Sequence, residues 1–173
     1  MSQKRITLVL GGAASGKSAF AERLVVATAK PRVYLATSQA FDDEMRAKVQ
    51  AHLDQRGPDW LTVEVPMQAA QHLTGLGPEQ VCLFDCATMW LTNQMLAESD
   101  LGAAQAALLQ ALRDCPAELV IVSNEVGHGI VPENALARRF REAQGRLNIE
   151  LAQIADTVIL VTAGLPQYLK GTP

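Results

Sequence analysis

An α/β fold with a mainly parallel central sheet flanked by helices is what this sequence predicts, and two features predict it. Short apolar runs alternate with longer segments of helical period, the pattern of β-α units. A glycine-rich loop, GGAASGKS (11–18), stands between the first apolar run and the first helical segment.

The elements follow in order. RITLVL (5–10) is a continuous β-branched and leucine run, as expected of a strand buried on both faces. A helix should leave the loop and run to about residue 29, and RVYLA (32–36) makes a second strand. DDEMRAKVQAHLDQR (42–56) opens on acids suited to a helix N-terminus, and its spacings of four and three put Met45, Val49 and His52 on one side. GPDW (57–60) breaks that helix. LTVEVP (61–66) then alternates as a half-covered strand does, turning Glu64 away from Leu61, Val63 and Val65. VCLFD (81–85) and ELVIVSNE (118–125) are apolar runs closing on polar groups, with a helix expected over 102–114 between them. ENALARRFREAQGRLNIELAQIAD (133–156) is a long amphipathic helix, and TVILVTAG (157–164) a last buried strand. GLGPEQ (75–80) is the clearest loop, too short to separate domains, so one domain over 1–173 is expected.

Composition excludes several classes of function. The 173 residues are 49% hydrophobic and 19% charged with a net charge of −3, so there is no basic footprint for nucleic acid or anionic lipid. The opening MSQKRITLVLGG leads into the glycine loop with nothing approaching 18 apolar residues and no small-residue cleavage site. No membrane insertion and a cytoplasmic location are expected. Cys82, Cys86 and Cys115 are an odd count without a CxxC pair, read as reduced thiols rather than a disulfide or zinc site.

The chemistry starts at the loop. GGAASGKS matches G-x-x-x-x-G-K-[ST] in full, between a strand and a helix. In such a loop Gly11, Gly12, Ala13, Ala14, Ser15 and Gly16 turn backbone N–H groups toward phosphate oxygens, Lys17 reaches the β- and γ-phosphates, and Ser18 can ligate Mg²⁺. This points to a P-loop nucleotide-binding fold of the RecA-like kind. Asp85, ending an apolar strand, is the natural second metal group, since ligands gather at the carboxyl ends of parallel strands; the alternative is an acid capping the next helix. Asn124 and Glu125 end a later strand on the same edge, either to position an acceptor or simply to face solvent. Four of the ten arginines, Arg138, Arg139, Arg141 and Arg146, crowd one helix and read better as a solvated or subunit-facing side than as phosphate ligands. Trp60 and Trp90 can stack on a ring or pack. His72 reads as a surface residue, and His128, in a glycine-bracketed loop, either meets substrate or points into water. His52 is the odd one, because phosphoryl transfer needs no histidine and an imidazole on an apolar stripe ordinarily packs.

These residues carry a resemblance that runs nearly end to end. LGGAASGKS, YLATSQAFDDEMRAKVQAHLDQRGPDWLTVE, LFDCATMWLTN, SNEVGHGIVPENALARRFREAQGRLN and AGLPQYLKG together resemble the bifunctional adenosylcobinamide kinase/adenosylcobinamide-phosphate guanylyltransferases of cobalamin biosynthesis. The resemblance implies two reactions. A phosphoryl group passes from ATP or GTP to adenosylcobinamide, and GMP from GTP then joins that phosphate to give adenosylcobinamide-GDP. It makes His52 the residue that becomes covalently guanylylated, and implies nucleotide contacts at Ala36, Thr37 and Ser38, at Leu53, Asp54, Gln55 and Arg56, and at Glu64 and Asp85. Glu64 has a chemical rationale there, since one carboxylate accepts both the N1–H and the exocyclic amine of guanine. A homotrimer is also implied. The chain departs from the family pattern at Ala14, where arginine is usual, and at His128, where methionine is usual. Two other readings keep the loop but not the second reaction: a kinase for another small alcohol in which His52 packs, and a GTP-binding switch without turnover.

Overall fold

A computed structural model describes residues 5–39 and 43–172; within the helix over 43–56 the side chains of Met45, Lys48, His52 and Gln55 lie outside the described part. Seven strands form one sheet: β1 (Ile6–Gly11), β2 (Arg32–Ala36), β3 (Trp60–Glu64), β4 (Val81–Asp85), β5 (Glu118–Asn124), β6 (Thr157–Thr162) and β7 (Leu165–Lys170). Their order across the sheet is β3-β2-β4-β5-β1-β6-β7. All pairings are parallel except β6 with β7, a closing hairpin.

The helices are α1 (Lys17–Ala27), α2 (Asp43–Arg56), α3 (Ala69–Leu73), α4 (Ala87–Leu96), α5 (Leu101–Asp114) and α6 (Ala135–Ile154). Alternate residues of the strands feed two cores. Leu8, Leu35, Phe84, Leu119 and Ile121 pack with Leu73, Leu91, Leu108, Leu112, Leu147 and Leu151 of α3 to α6. On the opposite face Val9, Leu83, Val120, Val122 and Val161 pack with Ala21 and Val25 of α1. Because both faces are covered, the central strands carry apolar residues without alternation. β3 is the exception: at the sheet edge its burial is only partial, and Leu61, expected on the covered side, is 61% exposed.

Three elements were not expected. α3 is a single short turn of helix; α4 has no single apolar stripe because Ala87, Thr88, Trp90, Leu91, Asn93 and Gln94 are all buried. An element buried on most sides loses the periodicity that marks a surface helix. β7 is exposed along nearly its whole length, and its Lys170 Nζ donates to the carbonyls of Ala152 and Gln153 at 3.0 and 3.2 Å, capping the last turn of α6. α2 forms over the expected residues, yet of its described side chains only that of Arg56 is buried, 5% exposed, and Val49 is only half-covered. What docks it is its last residue: Arg56 lies over the Tyr34 ring, 3.4 Å from the centroid, with its Nε 3.9 Å from Glu22 of α1. No described helix is long and apolar enough to cross a membrane.

Candidate functional site

Register brings the expected residues to one edge of the sheet. Ala36 stands opposite Glu64 on one side and opposite Asp85 on the other, and Gly11 stands opposite Asn124. Neighbouring strands lie about 4.8 Å apart, so Glu64, Ala36 and Asp85 form a row that continues through β5 to the glycine loop on β1.

The loop turns over the N-terminus of α1. A Cβ on Gly11 would come within 2.3 Å of Ser15 Oγ and 2.8 Å of the Val161 carbonyl, so only glycine fits there. Gly16 caps the helix with φ +90°, and a Cβ on it would sit 3.1 Å from Gly164 Cα in the β6–β7 turn. The same turn donates its Gly164 N–H to the Ser15 carbonyl at 2.8 Å. The closing hairpin therefore buttresses the loop, a contact between residues about 150 apart in sequence that no local pattern reveals. Gly16→Ala is expected to cost about 1–3 kcal/mol of unfolding free energy through its left-handed backbone and this contact. Denaturant unfolding measures it, and an unchanged midpoint would mean the turn yields freely. Ala14 also has positive φ, +53°, and its side chain is exposed.

Lys17 is 9% exposed and folds back to donate Nζ to the Gly12 carbonyl at 3.0 Å. Burial lowers its pKa, while the Cys86 thiol and the Asp85 carboxylate nearby oppose that. An ammonium held this way is ready for an anionic partner. Ser18 follows it, half-buried in the first turn of α1.

Asp85 does not cap α4. That role belongs to Cys86, whose Sγ accepts the Met89 N–H at 3.4 Å, while Asp85 Oδ2 accepts the Tyr34 hydroxyl at 2.6 Å. Tyr34 is buried, and burial together with the adjacent carboxylate pushes its pKa far above the usual phenol range. The Cys86 thiol is pushed up to about 11, chiefly by burial with Asp85 adding to it, so it is a neutral cap and not a nucleophile at pH 7. A second chain of contacts, from Glu22 through Arg56 and Tyr34, thus ends on Asp85.

Thr37 is fully buried. Its hydroxyl donates to the Cys86 carbonyl at 2.7 Å and accepts the Cys86 N–H at 2.8 Å, and its own carbonyl accepts Asn93 Nδ2 at 2.8 Å. Of the Ala36–Thr37–Ser38 segment, Thr37 ties β2 to the start of α4 and only Ser38 is partly exposed. Glu64 is exposed at the end of β3, Leu53 is half-buried and Asp54 exposed on α2; the side chains of His52 and Gln55 lie outside the described part.

The other open choices resolve by contact. Trp90 is core, its Nε1 donating to the Met67 carbonyl at 3.3 Å. Trp60 meets Tyr34 edge-on at 6.1 Å. His72 is exposed on α3. Arg141 donates to the carbonyls of Gly127, Gly129 and Ile130, and Arg138 to those of Pro132 and Glu133, so two of the four clustered arginines hold the loop that follows β5. Arg146 pairs with Glu142. Cys82 and Cys115 are buried thiols outside any disulfide. Among the described residues there is no group of three or more His, Cys, Asp or Glu side chains placed to hold a metal ion.

Comparison with known proteins agrees with this geometry. The fold is shared with a type III secretion ATPase (TM-score 0.60, 12% identity, covering 95% of this chain and 56% of that one) and with the RadB recombinase (TM-score 0.52, 14% identity, 90% and 73%). These likenesses show a P-loop, RecA-like fold. Residues 7–169 match the family model described as cobinamide kinase/cobinamide phosphate guanyltransferase. The bifunctional adenosylcobalamin biosynthesis protein CobP of Pseudomonas aeruginosa is 40% identical over 169 residues, covering 96% of this chain and 98% of its own length. CobU of Salmonella typhimurium, of the same description, is 42% identical over 179 residues, covering 94% and 98%. With the family model spanning almost the whole chain and relatives at this identity aligned end to end, the chain belongs to the cobinamide kinase/cobinamide phosphate guanyltransferase family.

Proposed function

We propose that this protein phosphorylates adenosylcobinamide with ATP or GTP and then transfers GMP from GTP to the new phosphate, giving adenosylcobinamide-GDP. The observation that carries the reading is the row Glu64, Ala36, Asp85 beside a complete phosphate loop with a buried Lys17, in a chain of this family.

In the first reaction the loop N–H groups from Gly11 to Gly16 and the Lys17 ammonium hold the β- and γ-phosphates and offset charge as the phosphoryl group moves. Mg²⁺ fits the donors present: Ser18 and Asp85 offer hard oxygens, and the Tyr34 hydroxyl occupies only Oδ2 of the Asp85 carboxylate. When bound, the ion would neutralise phosphate charge. Tyr34 fixes the Asp85 carboxylate, and the Thr37 hydroxyl fixes the backbone of Cys86, which follows it.

In the second reaction the His52 imidazole attacks the α-phosphorus of GTP and pyrophosphate leaves. The resulting phosphoramidate is then opened by a phosphate oxygen of the substrate, which frees the imidazole. Glu64 selects guanine, with Arg56, Leu53, Asp54, Gln55 and Ser38 as further nucleotide contacts. α2 is docked through the buried side chain of Arg56 at its end while its other described side chains are exposed or half-buried, which supports a helix able to reposition His52 between the two steps.

The test is direct. Purified protein with adenosylcobinamide and ATP should yield a phosphorylated product, and GTP added next should convert it to the GDP adduct. Label should enter the protein from α-labelled GTP and not from α-labelled ATP, and should be acid-labile. Product formation with no protein-bound label would leave a kinase and remove the histidine route; no product at all would leave the switch reading. One domain, a cytoplasmic location and a homotrimer complete the proposal, the last resting on the family resemblance.

A further inference from the structure

Behind the end of β5 lies a buried polar relay that the two reactions above do not use. Ser123 and Gln144 are fully buried and Asn148 is 6% exposed. Ser123 Oγ donates to Asn148 Oδ1 at 2.6 Å, and Gln144 Nε2 donates to the same oxygen at 2.9 Å and to Ser123 Oγ at 3.0 Å. With its oxygen engaged twice, the Asn148 amide can turn only its NH₂ outward. There it donates to the Asn124 carbonyl at 3.0 Å and to Oε1 of Glu125 at 3.1 Å. Burying three polar side chains is costly unless they are satisfied; Gln144 Oε1 is left without a partner, while every polar atom of Ser123 and Asn148 is engaged, which holds the Asn148 amide in one orientation. Here the arrangement terminates on one carboxylate.

The residue that bears it is joined to the phosphate loop through its backbone. The Glu125 N–H donates to the Gly11 carbonyl at 3.0 Å, and β5 runs between the loop strand β1 and the Asp85 strand β4. The Glu125 side chain is 29% exposed, so the network orients it without closing it off. Its second oxygen, Oε2, lies 3.2 Å from Nε2 of His128, an imidazole that is 83% exposed on the loop clamped by Arg141. A substrate hydroxyl can displace that exposed partner, whereas it cannot displace Asn148.

We infer that Glu125 is the catalytic residue that takes the proton from the acceptor hydroxyl in phosphoryl transfer, and that Asn148 is its positioning residue. The inference rests on the kinase reading above. As the hydroxyl oxygen bonds to the γ-phosphorus, its O–H bond breaks and the proton passes to Oε2 of Glu125. The bridging P–O bond breaks with its electron pair leaving on the nucleoside diphosphate. General-base assistance of this kind contributes about 10²-fold or more.

The experiment runs the two half-reactions separately on E125Q, which keeps the shape and hydrogen-bonding capacity of the side chain but removes its affinity for a proton. Phosphorylation of adenosylcobinamide by ATP should lose about 10²-fold in kcat with little change in the KM for ATP. Transfer of GMP to adenosylcobinamide phosphate supplied ready-made should stay at the wild-type rate, which also shows that the variant is folded. Phosphorylation at the wild-type rate overturns the assignment, and so does an equal loss in both half-reactions. A wild-type protein that forms no phosphorylated product overturns the kinase reading and this assignment together, an outcome distinct from a loss confined to the variant.

Discussion

Lys17→Ala is expected to lower phosphorylation of adenosylcobinamide by about 10²- to 10³-fold, the cost of deleting one preorganised charge stabiliser at a phosphoryl centre. The geometry makes the case. Lys17 is anchored on the Gly12 carbonyl, withdrawn from water, and close enough to Asp85 for its charge to bear on its protonation. A buried ammonium is costly to retain in the free protein, so the variant should unfold no more easily than the parent while losing activity. Single-turnover phosphorylation and a thermal melt, measured together, separate the two effects. A variant that phosphorylates at the wild-type rate would remove the loop from the reaction; a large drop in melting temperature would make the lysine a stabiliser of the fold.

His52→Ala should abolish protein-bound, acid-labile label from α-labelled GTP and with it formation of the GDP adduct, while phosphorylation of adenosylcobinamide continues. Removing the nucleophile of a covalent step takes away the step itself, so the loss should reach the detection limit rather than a partial value. Persistent label in the variant would place the attachment elsewhere. Undiminished adduct formation without label would mean direct attack of the substrate phosphate on GTP. The position of His52 four residues before Arg56 puts both one helical turn apart on α2, and Arg56 is seated on the Tyr34 ring that bonds Asp85. α2 and Asp85 are therefore linked through Arg56 and Tyr34.

The sequence determined a good deal without the tertiary structure. The complete loop motif between a β-branched run and a helix, the apolar runs ending on Asp85 and Asn124, and the amphipathic stretch over 133–156 all formed as read, because each is a local pattern with a local physical cause. The family was legible in long quoted segments. The tertiary structure alone decided which polar groups meet. Asp85, read first as a metal group, kept helix capping as its alternative until Tyr34, 51 residues away in sequence, was found on its carboxylate and Cys86 at the cap. Arg138 and Arg141 read as a charged surface until the carbonyls of residues 127–133 were found around them. α4 escaped because burial on most of its sides erases the 3.6-residue period, and β7 because an exposed hairpin strand carries little apolar signal. Periodicity along a chain records which side of an element is buried. It holds nothing about which distant element does the burying, and the row across β3, β2 and β4, the hairpin under the loop and the relay behind Glu125 are all contacts of that second kind.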